Sequence, residues 1–134
     1  MAKAFLGSGW KFPLRVDSTG KFVYSRHEED IRESIWIILS TARGERVMRP
    51  EFGCGIHDMV FEPINAGTLN RIENTVREAL IEYEPRIEVL EVAVSDAEAR
   101  NGRLLISIDY LIRTSNHEFN LVFPFYIKEG QLNQ

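Results

Sequence analysis

The first helical pattern in the chain lies between Ser25 and Gly44. Ser25 is a residue type favoured at a helix N-cap, and the acidic residues that follow it suit the positive end of the helix dipole. Apolar residues then recur at the spacing i, i+3, i+4 and i+7, which predicts one face against a core. Gly44 is expected to end the helix, because glycine is a common C-terminal stop. The predicted core positions are Ile31, Ile35, Ile38, Leu39 and Ala42.

A second amphipathic helix is predicted to start near Asn65 or Thr68 and to end at about Glu84. It ends there because Pro85 disfavours helical geometry in the residue before it. Charged and polar residues cover the side opposite to its apolar stripe, so we expect one face against the core and the other against water. The stripe is Leu69, Ile72, Val76, Leu80 and Tyr83.

The rest of the chain carries strand patterns. The first run, 87–95, changes its apolar phase between Val89 and Leu90, which suggests a bulge or a strand buried on both faces. The Asn-Gly pair at 101–102 is a strong hairpin signal, and the Ser-Asn pair at 115–116 marks another turn. The sequence therefore predicts an α+β fold, in which two amphipathic helices cover one face of a three-stranded, antiparallel, C-terminal meander.

The residues before the first helix are expected to form an N-terminal hairpin or edge segment. Trp10, Phe12 and Leu14 alternate with other residues, a turn signal follows at 17–20, and an apolar group stands at 22–24. This segment would cover one end of the core. The sequence shows neither an internal repeat nor a linker, so residues 1–134 are interpreted as a single domain.

The last predicted strand is apolar on both of its faces. Val122 and Tyr126 lie between its alternating residues, and the order of a meander leaves this strand at an edge of the sheet. An exposed edge can pair with a strand of another chain. The alternative is that the N-terminal hairpin covers this edge, and both interpretations stay open. The alternating residues are Phe119, Leu121, Phe123, Phe125 and Ile127.

The composition limits the classes of protein to which the chain can belong. Its 134 residues suffice for one core, and its net charge of −4 argues against a general nucleic-acid binder. One cysteine cannot form an internal disulfide, and no apolar run approaches the roughly 20 residues of a membrane span. We therefore expect no nucleic acid and no membrane among the partners, and a reducing cytoplasm as the compartment.

Residues 41–65 join the two helices without a steady helical or strand period, and they carry the candidate chemistry. A glycosidase needs two carboxyl groups roughly 5 to 10 Å apart across a cleft. No spacing among the acidic residues of this stretch is diagnostic of such a pair, so we predict no catalytic residue. The acidic residues are Glu45, Glu51, Asp58 and Glu62.

Cys54 and His57 have a spacing that could suit a metal, but a closed zinc site needs about four ligands and the chain has few other candidates. Cys54 is expected to be a buried thiol and His57 a surface or capping histidine, so we predict neither a metal nor a cofactor. Arg43, Arg46 and Arg49 could instead bind phosphate or the carboxylates of a partner. The alternative is that they pair with acidic residues nearby in the chain.

Three motifs together resemble a known family, the small "lysozyme-like" baseplate wedge proteins of contractile phage tails. The motifs are GWKFP at 9–13, RGERVMRPEFGCG at 43–55 and EPR at 84–86. The family also has a member in the type VI secretion baseplate and in related contractile injection particles. The resemblance covers nearly the whole chain, and its second motif is long and specific.

The resemblance implies a structural protein without enzymatic activity. It would join other baseplate wedge proteins to the first ring of the sheath protein and template sheath assembly, with tube-proximal hub proteins as further candidate partners. The motif at 84–86 is implied to dock on a helical core bundle of neighbouring wedge proteins. The last strand is implied to accept a strand from a sheath subunit, which agrees with its two apolar faces.

The resemblance leaves a peptidoglycan-degrading hydrolase as the alternative function, because of the family's lysozyme label. A nucleic-acid-binding module built on the three arginines is a third interpretation. The protein is expected in the bacterial cytoplasm during assembly, and afterwards in a virion, a prophage-derived tail or an injection particle. The expected site residues are Glu84, Pro85 and Arg86 for wedge proteins, Phe119, Leu121, Phe123 and Phe125 for the sheath, and Arg43, Arg46, Arg49 and Glu51 for a charged interface or network.

Overall fold

The computed structural model of the protein describes residues 25–127. The predicted N-terminal hairpin or edge segment and the motif at 9–13 lie outside the described residues. Two short 3₁₀ helices, Gly55–Met59 and Ala99–Asn101, lie between the longer elements. In chain order the longer elements are α1 (Arg26–Ser40), α2 (Ala66–Tyr83), β1 (Ile87–Ser95), β2 (Arg103–Ile112) and β3 (His117–Tyr126).

The start of α1 follows from its capping box. The Ser25 side chain accepts a hydrogen bond from the Glu28 amide at 3.1 Å, and the Glu28 carboxylate accepts one from the Ser25 amide at 2.8 Å. These two bonds satisfy amide groups that have no partner inside the helix. The buried positions of this helix are among those predicted, namely Ile31, Ile35, Ile38 and Leu39.

The end of α1 differs from the prediction. The helix ends at Ser40, with Thr41 as its C-cap, so the prediction that it runs to Gly44 is wrong. The Thr41 hydroxyl donates to the Ile37 carbonyl at 2.7 Å, and the Thr41 carbonyl accepts from the Cys54 amide at 2.9 Å. This pairing with a residue distant in the sequence draws the backbone into an extended conformation before the glycine is reached. Gly44 lies in the turn that follows, with φ of +87°.

The limits of α2 agree with the prediction. Asn65 is its N-cap, and the Asn65 side chain accepts a hydrogen bond from the Thr68 amide at 2.9 Å. Glu84 is its C-cap, because the proline that follows cannot continue the helix. The helix packs mainly against β1. The buried positions of the predicted stripe are Ile72, Val76 and Leu80.

The three strands form one antiparallel sheet in the order β1-β2-β3, so β2 is central. The register of β1 on β2 shifts between Val89 and Glu91, and Leu90 is 40% exposed. The predicted irregularity of this strand is therefore a bulge and not burial on both faces. Both predicted turns are present, since Gly102 has φ of +84° and Asn116 has φ of +61°.

The two helices cover one face of the sheet, which confirms the predicted α+β fold. Every second residue of β2 is buried from Leu104 to Ile112, and every second residue of β3 is buried from Phe119 to Phe125. Because successive side chains of a strand point to opposite faces, these residues form one apolar layer under the helices. Their removal from water is the main favourable contribution to the free energy of folding.

Candidate interaction sites

The corner between α2 and β1 is formed by Glu84, Pro85 and Arg86. The side chain of Glu84 is only 2% exposed, whereas Pro85 and Arg86 are exposed. The Arg86 guanidinium donates to both carboxylate oxygens of Glu84 at 2.8 Å, and the Arg86 amide donates to the same carboxylate at 3.2 Å. Glu84 therefore acts inside the fold, where it sets the orientation of Arg86.

The electrostatics of this corner keep both side chains charged. Burial acts to raise the pKa of Glu84, but hydrogen bonds from Arg86 and Ser34, together with the charge of Arg86, outweigh it and lower that pKa. The hydrogen bond to Glu84 raises the pKa of Arg86. The pair is therefore ionised at neutral pH, with two parallel bonds that a lysine could not form.

Arg113, which no sequence motif singled out, holds the corner from the turn between β2 and β3. Its guanidinium donates to the Pro85 carbonyl at 3.1 Å, and its amide donates to the Arg86 carbonyl at 3.0 Å. Arg113 and Pro85 are 28 positions apart, so no local pattern could have revealed this contact. An open groove of about 420 Å³ beside the corner is lined by Ile81, Pro85, Ile87, Glu88, Val89 and Arg113.

β3 is an edge strand of the sheet that the described residues form. Its outer face carries Val122 and Tyr126, which are 37% and 62% exposed. Strand addition here would use the backbone groups of β3 with these exposed side chains beside them. The N-terminal hairpin, which covers this edge in the alternative interpretation, lies outside the described residues. The side chains expected to serve the sheath are buried in the core, namely Phe119, Leu121, Phe123 and Phe125.

A second open groove, of about 500 Å³, lies where the end of β3 meets α1. The ring centres of Trp36 and Phe123 are 4.8 Å apart, and those of His57 and Phe125 are 5.8 Å apart. His57 Nε2 lies 2.8 Å from the Leu39 carbonyl oxygen, so this nitrogen is the donor and His57 caps α1, as predicted. The lining contains no acidic residue and consists of Trp36, Ser40, His57, Phe123, Pro124, Phe125 and Tyr126.

The arginine loop, residues 43–52, folds onto the C-terminal end of α2. The guanidinium groups of Arg46 and Arg49 lie 4.7 and 5.5 Å from the centre of the Phe52 ring. Phe52 in turn packs on Tyr83, with the ring centres 4.9 Å apart. Cation–π contacts at exposed sites stabilise a structure by only about 0.5–1 kcal/mol, but they orient the guanidinium. The sequence motif at 43–55 indicated this loop, but it did not predict the contact between Phe52 and Tyr83 of α2.

Three of the four acidic residues in the connector between the helices, residues 41–65, have separate, local partners. Glu45 bonds to a backbone amide at 2.8 Å, Glu51 bonds to Arg49 at 3.3 Å, and Glu62 pairs with Arg71. None of these carboxylates lines either groove, so the two grooves do not hold the converging pair that a glycosidase needs. In the described part of the chain, the alternative interpretation, in which the three arginines pair with nearby acidic residues, holds for Arg49 alone.

Cys54 is fully buried, as predicted, and burial raises the pKa of its thiol to about 11. A thiol with so high a pKa is protonated at neutral pH, which makes it a poor nucleophile and a poor metal ligand. Among residues 25–127, no group of three or more His, Cys, Asp or Glu side chains is placed to hold a metal ion.

The sequence matches one known family over more than half of its length. The model of the family described as "Baseplate wedge protein gp25" aligns with residues 25–117. The chain belongs to the gp25 family of baseplate wedge proteins. This confirms the resemblance based on motifs, of which those at 43–55 and 84–86 lie within the matched range.

A curated member of the gp25 family matches part of the chain. The baseplate wedge protein gp25 of Enterobacteria phage T4 is 39% identical over 64 residues, which are 48% of this chain and 48% of the phage protein. The chain thus spans about half the length of that relative.

Two solved structures share the fold of this gp25-family chain. A protein of Geobacter sulfurreducens, provisionally named a tail lysozyme, is 65% identical, with a TM-score of 0.75 over 81% of this chain and 98% of that chain. A chain in the baseplate complex of the type VI secretion system has a TM-score of 0.61 at 16% identity, over 75% of this chain and 93% of that chain. The second likeness shows a common fold.

Proposed function

We propose that this protein is a structural component of the baseplate of a contractile tail or injection system, and that it is not an enzyme. The observation that carries the proposal is the family match over residues 25–117, because the family is one of baseplate wedge proteins. The geometry supports it, since Glu45, Glu51 and Glu62 bind local partners while Pro85, Arg86 and the arginine loop are exposed. A hydrolase would need a pocket with converging carboxyl groups.

The corner is proposed to dock on other baseplate wedge proteins through Pro85 and Arg86. Both are exposed, and they are held in a fixed orientation by the hydrogen bonds that Arg86 donates to Glu84 and the one that Pro85 accepts from Arg113. A side chain that is already oriented loses little conformational entropy on binding. The Arg86 side chain keeps 42% of its surface exposed, which leaves room for donors to reach carboxylates or carbonyls of a partner.

β3 is proposed to bind the sheath protein by accepting a strand along the edge that has no neighbouring strand among residues 25–127, and so to template sheath assembly. Its edge position in the described sheet and the exposed Val122 and Tyr126 support this role. The expected sheath-binding residues would act from the core side, where they keep the edge rigid. These residues are Phe119, Leu121, Phe123 and Phe125.

The remaining contacts and the location of the protein complete the proposal. Tube-proximal hub proteins are proposed as further partners, and residues 1–134 as one domain.

None of the helices within residues 25–127 has an apolar stretch that could span a bilayer. We propose assembly in the bacterial cytoplasm, followed by incorporation into a virion, a prophage-derived tail or an injection particle.

Co-expression with the products of neighbouring genes tests the structural role. The protein is expected to co-purify with wedge proteins, in a complex that electron microscopy can image. The role is rejected if the wedge proteins assemble with one another and this chain stays monomeric in every combination.

The second candidate function is peptidoglycan hydrolysis, which one observation favours: the relative of 65% identity is provisionally named a tail lysozyme. Release of soluble fragments from purified peptidoglycan measures this activity. Release that Glu51→Gln or Asp58→Asn abolishes, with the fold retained, would establish the hydrolase. No release by the correctly folded protein would leave the structural role as the better account.

A further inference from the structure

We propose that the tip of the arginine loop, Val47 and Met48, inserts into an apolar socket on a neighbouring protein, and that carboxylates around this socket bind the arginines of the loop. Val47 is 92% exposed and Met48 is 89% exposed, more than any other large apolar side chain that the structure describes. Single apolar residues are common on protein surfaces. Two adjacent ones at the tip of a closed loop form a knob that a partner can bury.

The loop is closed near its base by hydrogen bonds. The Gly44 amide donates to the Pro50 carbonyl at 2.7 Å. The Glu45 carboxylate accepts from the Ala42 amide at 2.8 Å, and the Glu45 amide donates to the Ala42 carbonyl at 3.1 Å. Because these bonds already restrict the backbone, the loop loses little conformational entropy when a partner binds it.

The residues on either side of the tip fold back towards the body of the protein. Arg46 and Arg49 flank the tip in the sequence, and both guanidinium groups lie over the Phe52 ring. Tyr83 supports this ring from α2, and its hydroxyl donates to the Glu51 carbonyl at 2.7 Å. The tip is therefore apolar, and its base is cationic.

The charges of the loop indicate the chemistry of the partner. Arg43 and Arg46 form no ion pair within the described part of the chain, and Arg49 pairs with the exposed Glu51. The whole chain has a net charge of −4, so the cationic base is a local feature. Stacked guanidinium groups present planar donors that match carboxylates. The rim of the socket is therefore expected to carry Asp or Glu.

A protein fits these features better than a lipid surface does. Methionine and arginine are enriched in protein interfaces, whereas segments that enter the membrane interface carry longer apolar faces. The loop also lies at the end of α2 that bears the proposed docking corner, because Tyr83 contacts Phe52 and precedes Glu84. The inference rests on the proposed function to the extent that the socket belongs to another baseplate protein.

Photo-cross-linking in the co-expressed complex tests the proposal. The variant Met48→p-benzoylphenylalanine is compared with Phe61→p-benzoylphenylalanine, because Phe61 is also exposed, at 67%, but lies outside the loop. The expected adduct from position 48 joins a partner segment with apolar residues beside at least two Asp or Glu, at several times the yield from position 61. A yield no higher than the control, or an adduct to a second copy of this chain, would overturn the proposal.

Removal of the apolar tip provides a second measurement. Val47→Ser/Met48→Ser is expected to lower the amount of protein retained in the complex at least tenfold, whereas Ile37→Ser, at a site 46% exposed, keeps it. Both variants should unfold within about 2 °C of the unaltered protein, because exposed substitutions change stability little. Equal retention of the double variant and the control would contradict the proposal.

The outcomes separate this inference from the proposed function. If the unaltered protein does not join the complex, the proposed function fails and the inference fails with it. If the unaltered protein and Val47→Ser/Met48→Ser join equally, only the inference fails. Flotation with vesicles of phosphatidylcholine and phosphatidylglycerol tests a lipid partner, and vesicle binding that the double variant abolishes would overturn the protein socket.

Discussion

Arg86 binds both carboxylate oxygens of Glu84 at 2.8 Å across a single proline, and the side chain of Glu84 is buried while that of Arg86 stays half exposed. In this pair, Glu84 is the buried hydrogen-bond acceptor and Arg86 is the exposed donor. Replacement of the arginine therefore has two effects, since it removes an exposed cation and leaves a buried anion without its main partner. Stability and assembly must be measured separately at this site.

Arg86→Ala is expected to lower the free energy of unfolding by about 2 kcal/mol, because the buried carboxylate of Glu84 loses its main partner. Chemical denaturation followed by circular dichroism measures this change. The matched control is Arg71→Ala, which breaks a more exposed ion pair with Glu62 and should cost less than about 1 kcal/mol. Equal costs for the two variants would contradict a structural role for Glu84.

The double variant Glu84→Gln/Arg86→Gln separates binding from folding. Two amides can keep a hydrogen bond without a buried charge, so the free energy of unfolding should stay within about 1 kcal/mol of the original. If the corner docks through the guanidinium, binding to wedge proteins should weaken at least about tenfold, as measured by co-purification and titration. Binding at the original affinity would refute the docking corner.

The lowered pKa of Glu84 predicts a loss of stability in acid. Glutamate in the unfolded chain titrates near pH 4.5, and the folded protein holds the pKa of Glu84 below that value. The stabilisation is therefore complete above about pH 4.5 and disappears as the pH falls through the lower, folded pKa. The melting temperature of the original protein should fall more steeply in this range than that of Glu84→Gln/Arg86→Gln. Parallel declines would show that another group is responsible.

Gly53→Ala is expected to destabilise the protein by about 3 kcal/mol, because a Cβ atom there would lie 2.5 Å from the Thr41 carbonyl oxygen and φ is +127°. Gly44→Ala is the matched control. It has φ of +87° but no atom within 4 Å of the added Cβ, so only the backbone strain of about 1 kcal/mol applies. Thermal unfolding of the two variants compares these costs, and similar melting temperatures would refute the close approach.

Truncation of two neighbouring residues of β3 should destabilise the protein to very different extents. Leu121→Ala is expected to cost about 3 kcal/mol, because Leu121 is 1% exposed and its removal leaves a cavity. Val122→Ala, on the exposed face, should cost less than about 1 kcal/mol. Denaturant titration measures both values. A large cost at Val122 would mean that this face is covered, and tests of sheath binding would then need other positions.

Sequence motifs located the candidate interaction sites but did not reveal their geometry. The motif at 84–86 marked the corner, yet the burial of Glu84 and the support from Arg113 follow from contacts between distant parts of the chain. The motif at 43–55 marked the arginine loop, whereas the stacking on Phe52 depends on Tyr83 of α2. Local sequence patterns carry no information on such contacts, because residues far apart in the sequence are brought together by the packing of separate elements.

The sequence by itself determined the two helices, the three strands, both turns and the family. These features depend on residue spacing, capping and proline, all of which act within a few positions of the chain. The tertiary structure decided where α1 ends, because the Thr41 carbonyl pairs with the Cys54 amide. It also decided which side chains are buried and which remain for a partner, because burial follows from how separate elements pack together.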